Sequence, residues 1–166
     1  MPPDSPANPE LYERLCAEFA AECELPEGTW VARVHHAMLD SLARLEPHRD
    51  ALVTLLPTLI ADKERGLFSA HAASSRAHVQ QVFIEAVAGS THPPADPQAL
   101  GRLFTLLQFG VLQWWLLDRS EGQATTRELV VLLSSLGPAV SAALWLPGVS
   151  AILHRLDGLV REGLYG

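Results

Sequence analysis

Lysine is almost missing from this chain. Lys63 is the single one among 12 basic residues, the arginines are scattered, and 19 acids bring the formal net charge to −7. A surface that neutralises phosphates needs clustered Lys and Arg, so direct nucleic-acid contact is not expected, nor is adsorption to an anionic membrane. Cysteine is scarce as well. Cys16 and Cys23 stand about 10 Å apart on one helix, too far to bridge each other, and read as buried thiols in a reducing compartment. The opening MPPDSPANPE lacks the basic region and apolar core of a signal peptide. The apolar stretch 100–117 is interrupted by Arg102, Gln108 and Gln113, short of the ~20 mostly apolar residues of a membrane span. These absences point to a cytoplasmic protein with no membrane partner.

Catalytic signatures are missing too. The chain has no G-x-S-x-G, no Gly-rich phosphate loop and no C-x-x-C. Seven histidines raise the question of a metal, yet no glutamate precedes a histidine by three residues, the spacing of a di-metal helical bundle. His35 and His36 diverge by about 100° on a helix, and His71 and His78 are separated by about 10 Å of rise. The latter pair suits a half-exposed helix face or the wall of a cavity, not one shared ion. Ser74 and Ser75 lie near them without an orienting acid or an oxyanion hole. Neither an enzyme nor a metal or cofactor site is expected.

What is present is helical periodicity. Hydrophobic residues make up 48% of 166, enough for one domain with a sizeable core. No segment alternates with period 2, so strands are not expected. Residues 1–8 are Pro-rich and read as a mobile lead-in. Residues 9–166 read as a single all-α domain of about seven or eight helices. Asn8-Pro9-Glu10 starts the first, running to about Cys23. The second spans about Thr29 to Leu45. Pro47 starts a third, which Pro57 should kink or break. A long helix is predicted from about Leu67 to Ala88, followed by the loop at 89–97. Thr125 and Glu128 have the spacing of a capping box. Gly137-Pro138 bends or restarts the helix behind it, and a last helix spans about Ser150 to Glu162.

The segment around which the rest is arranged is DPQALGRLFTLLQFGVLQWWLLD, residues 96–118. Asp96 is its N-cap and Pro97 its first helical residue. In its first half Gln98, Gly101, Arg102 and Thr105 share a polar arc opposite Leu100, Leu103, Phe104 and Leu107. In its second half Phe109, Leu112 and Leu116 occupy that arc, so the helix is apolar nearly all round and calls for a large core or a partner chain. Gln108 and Gln113 carry amides into apolar surroundings, where each needs a hydrogen-bond partner. Gln108 suits either a helix–helix contact or a ligand; Gln113 leans to an interface.

The order of elements, with LPEGTW before the second helix, LLP in the middle, and LFTLLQFGVLQWWLLDRSEGQATTRELVVLLSSL, resembles the C-terminal effector-binding and dimerisation domain of TetR-family transcriptional regulators. The resemblance covers roughly residues 9–146 and rests on hydrophobic pattern and the turn at Trp115–Ser120. It implies a homodimer joined by a four-helix bundle, with a small apolar ligand enclosed by the middle helices. The ligand-binding residues expected are Trp30, Met38, His78, Phe104 and Gln108. The interface residues expected are Val111, Trp114, Trp115, Val130, Val131 and Leu133. The family's helix-turn-helix has no counterpart in residues 1–30, so DNA is expected to be reached only through a domain absent from this sequence. The alternative is a structural protein that pairs with a regulator through the same bundle and does not bind DNA.

Overall fold

Side chains cap the starts of two helices at the centre of this fold. Thr29 Oγ1 accepts the Ala32 N–H at 3.3 Å, and Asp96 Oδ1 accepts that of Ala99 at 2.9 Å. A computed structural model describes residues 9–164; the lead-in expected at 1–8, including the Asn8 cap, lies outside the described residues. The elements are α1 (Pro9–Glu22), α2 (Trp30–Leu45), a 3-10 turn (Glu46–His48), α3 (Arg49–Ala61), α4 (Ala73–Ala88) and α5 (Pro97–Leu117). A second 3-10 turn (Glu121–Gln123), α6 (Ala124–Ser135), α7 (Gly137–Leu144) and α8 (Val149–Leu164) complete them. The described residues contain no strand, and the protein is all-α. These elements join into six helical runs rather than seven or eight separate helices. At Pro47 and at Gly137-Pro138 the chain bends without separating into independent helices, because a proline in a first turn forfeits no intrahelical bond.

Three local expectations are corrected. Pro57 does not break α3, which continues to Ala61. Its ring lies on the exposed side, while Leu52, Leu55, Leu56 and Leu59 bury the other face. The helix expected from Leu67 begins only at Ala73. Residues 62–72 form turns, closed by Asp62 Oδ1 accepting the N–H groups of Glu64 and Arg65 at 2.8 and 2.9 Å. The buried Arg76 then donates to the Leu67 and Ser69 carbonyls at 2.8 and 2.5 Å, so those turns need no helical partners. Finally, Thr125 does not cap α6. Asp118 and Ser120 do so from the preceding turn: Asp118 Oδ2 accepts the Thr126 N–H at 2.9 Å, and Ser120 Oγ that of Thr125 at 3.1 Å.

The core forms where α1, α2, α4 and α5 meet. Phe19, Phe83, Val87, Leu100 and Leu112 are buried there, and the rings of Phe19 and Phe83 lie 6.4 Å apart. The supposedly wet arc of α5 is the tightest part of this packing. A methyl at Gly101 would sit 2.6 Å from the Ile84 Cα, so glycine lets the α4 and α5 backbones approach as no other residue would. Thr105, fully buried one turn on, donates its hydroxyl to the Gly101 carbonyl at 3.0 Å. The far end of α5 is held by Arg49. Its Nη2 donates to the carbonyls of Trp115, Leu116 and Asp118 at 3.2, 3.0 and 3.1 Å, and its guanidinium lies 5.5 Å from the Trp115 ring centroid.

The opposite face of α5 carries Leu107, Gly110, Trp114 and Leu117, all exposed. On α6, Val131, Leu132 and Leu136 are exposed as well. By length and composition alone, Pro97–Leu117 and Glu121–Leu144 could each cross a bilayer, which corrects the expectation that polar interruptions keep 100–117 below that threshold.

Candidate ligand pocket

The pocket is set by how firmly α2 is fixed at its start. Arg33 donates Nε to the Ala86 carbonyl at 2.9 Å, Nη2 to that of Glu85 at 3.0 Å and Nη1 to that of Pro26 at 2.6 Å. One guanidinium thus joins the α1–α2 loop, α2 and the end of α4. The Thr91 N–H donates to the Gly28 carbonyl at 3.0 Å and pins the loop that follows α4 to the same corner. Gly28 has φ +132, a conformation that favours glycine. Trp30 is thereby held at the head of α2, with its ring 5.5 Å from that of Phe104 on α5.

Against this wall α6 and α7 form a bent lid. A methyl on Gly137 would come within 2.5 Å of both Val31 methyls, so the bend seats directly on α2. Beneath it lies a cavity of about 140 Å³, lined by Trp30, Val31, Val34 and Met38 of α2, Phe104 and Leu107 of α5, and Leu133, Ser134, Leu136, Gly137 and Val140 of the lid. Trp30, Val31 and Ser134 also border an open cleft of about 900 Å³. Its other walls are the loop from Thr91 to Ala95 and, across it, Pro138, Ser141, Leu144 and Trp145. The cleft adjoins the cavity through these shared residues, with His92 and several hydroxyls on its rim.

No charged side chain lines the inner cavity. Its one polar side chain, Ser134, donates its single hydrogen to the Val130 carbonyl at 2.8 Å. His35 Nδ1 lies 2.6 Å from Ser134 Oγ, within hydrogen-bond distance. The contact ties α2 to α6 at the cavity edge. Among the described residues no group of three or more His, Cys, Asp and Glu could hold a metal ion. The arrangement can enclose and orient a small apolar molecule.

Trp30, Met38 and Phe104 line this cavity together. His78 does not. It is exposed on α4 and lines no cavity described here, because α4 turns Val79, Val82 and Phe83 inward instead. His71 is also exposed, in the turns before α4, 3.6 Å from Glu13. Gln108 is buried beside a second, smaller cavity. Of the interface residues, Val111 and Trp115 (each 2% exposed) and Val130 (0%) are packed in the protomer's own core and are removed from that role. Trp115 Nε1 donates to Glu46 Oε2 at 3.2 Å. Leu133 is half-buried in the lid. Trp114 (51%) and Val131 (57%) do face outward, as does Gln113. Sequence reasoning missed the lid residues Leu136, Gly137 and Val140; the signal was the Gly-Pro bend within an apolar helix, which implies something for the bend to close over. No protein-family model matches the chain, and no curated protein matches it either.

Proposed function

We propose that this chain is a TetR-like effector-sensing and dimerisation domain that binds a small apolar ligand beneath the α6–α7 lid. The observation that carries this reading is the uncharged cavity walled by Trp30, Met38 and Phe104, with a wide cleft adjoining it. A merely structural bundle has no use for an aromatic-lined void, since close packing is the stable solution. Ligand entry would press on Leu133, Leu136 and Val140 and so shift α6 and α7. The exposed apolar faces of α5 and α6 support a homodimer, in which Trp114, Leu117, Val131 and Leu132 of two copies pack together. Gly110 stands within that face with nothing near its missing Cβ, which suits close approach of a second helix.

The test separates sensing from pairing. Light scattering should give a particle near twice 18.1 kDa in detergent-free buffer. The double variant Trp114→Arg, Leu132→Arg should give a monomer. Titration with an apolar environment-sensitive dye should show saturable binding, and Val34→Phe, which fills the cavity, should abolish it while leaving the dimer intact. A dimer that binds no apolar probe would replace this reading with the pairing protein; a clean monomer at micromolar concentration would remove the bundle.

A further inference from the structure

A second cavity, of about 40 Å³, lies where α1, α2, α4 and α5 converge, lined by residues that include Tyr12, Cys16, Ser41, Arg44 and Gln108. Gln108 is 4% exposed, and its Oε1 has no hydrogen-bond partner. Its orientation follows from Ser41. The Ser41 hydroxyl donates its only hydrogen to the Met38 carbonyl at 2.9 Å, so toward Gln108 it can only accept, and it takes a hydrogen from Nε2. In this arrangement Oε1 is left as the free end.

The other polar groups on the wall are engaged. Tyr12 and Cys16 hydrogen-bond to each other. Arg44 turns its head outward, donating Nε to Asp40 Oδ2 at 2.7 Å, Nη1 to Glu22 Oε2 at 2.7 Å and Nη2 to the Glu22 carbonyl at 3.0 Å. One buried acceptor on this wall, Gln108 Oε1, is thus without a partner. A cation would find no countercharge and would lose its hydration. A neutral hydroxyl needs only the one acceptor while its carbon chain continues into apolar surroundings.

The two cavities lie along one seam between α2 and α5. Met38 and Phe104 line the larger; Ser41 and Gln108, about one helical turn further along each helix, line the smaller. Met38, unbranched and adaptable, lines the larger cavity about one turn before Ser41. We infer that the ligand is a neutral apolar molecule bearing one hydroxyl, its body beneath the lid and its hydroxyl donating to Gln108 Oε1 past a displaced Met38. This deepens the pocket reading above and rests on it.

Two isomers decide it. 1-Decanol and methyl nonyl ether have the same formula and nearly the same shape, but only the alcohol donates a hydrogen bond. Calorimetric titration of the unaltered protein should show the alcohol binding about tenfold more tightly, the value of one hydrogen bond to an otherwise unpaired buried acceptor. Gln108→Met should reduce the two affinities to the same value, and Val34→Phe should abolish both. Equal binding of the isomers by the unaltered protein would overturn the hydroxyl assignment and leave the apolar pocket standing. Failure of both isomers to bind would overturn the pocket and this assignment together.

Discussion

Arg102 and Asp157 join α5 to α8 by a two-point ion pair, Nε to Oδ1 at 2.6 Å and Nη2 to Oδ2 at 2.7 Å. Asp157 is buried, although Ile152, Leu156 and Leu159 of the same helix are exposed. The last helix thus owes its position to a charge pair at least as much as to apolar contact. Asp157→Asn should cost about 1–3 kcal/mol, below the full value of a buried pair because Arg102 keeps some solvent contact. Hydrogen exchange should accelerate across Val149–Leu164 with α4 and α5 unchanged. Uniform acceleration through the whole chain would show that α8 is integral to the core instead.

The seat of the lid on α2 leaves no room for a methyl at Gly137. Gly137→Ala should destabilise by about 1–3 kcal/mol, as overpacked contacts do. Val31→Ala in the same chain should recover a good part of the loss, because the two sites share one contact. Denaturant midpoints of the four proteins measure this coupling; strict additivity would mean that the lid does not rest on Val31.

Acid should loosen the α5–α6 turn. The Asp118 carboxylate accepts the Thr126 hydroxyl at 2.6 Å, the Thr126 N–H at 2.9 Å, and the N–H and hydroxyl of Ser120 at 2.9 and 2.7 Å. Hydrogen bonds to the charged form, that from Thr126 foremost, hold its carboxyl well below the usual carboxylate range. A depressed value means that the stabilisation is complete above the ordinary carboxylate range and fades as pH falls through that range toward the folded value. Asp118→Asn should therefore be less stable than the unaltered protein at pH 7, and the gap should shrink by pH 3. A gap independent of pH would assign the effect to shape rather than charge.

The two thiols should behave in the opposite sense. Burial is the first cause that pushes Cys16 and Cys23 up to about 12; Asp40 beside Cys23 adds to it. Both stay protonated at pH 8 and should react with a disulfide reagent far more slowly than free cysteine, Cys16 only as the chain opens. Because the unfolded thiols ionise first, the stability they contribute is complete below their ordinary value and declines as pH rises from there toward 12. Rapid labelling of Cys16 in native buffer would contradict its placement in the core.

The candidate pocket was legible in part, and the reasons are residue-specific. Trp30, Met38 and Phe104 are large groups on apolar helix faces, and such groups converge wherever those faces pack. His78 was misread because the face of α4 that turns inward depends on where the helix starts, and Arg76 moves that start to Ala73 by satisfying the preceding turns. Trp114 and Trp115 are neighbours in sequence with equal hydrophobicity, yet one is half in solvent and the other is under Arg49. A 100° step separates them, and partners distant in sequence, the core residues, Glu46 and Arg49, select which of them is covered.

By itself the sequence determined the helices. Period 3.6, the caps at Thr29 and Asp96 and the absence of alternation are local properties, and local energetics suffices to express them. It also determined the charge balance, 19 acidic side chains against 12 of Lys and Arg. Only the tertiary structure decided which faces meet. The arc of Gly101 and Thr105 looked wet because small polar residues suit solvent, but they suit close backbone approach equally, and the choice depends on Ile84 lying opposite. The cavity was decided in the same way. A void is a shortfall of side chains from α2, α5 and the lid at one point in space, and no single helix contains that information.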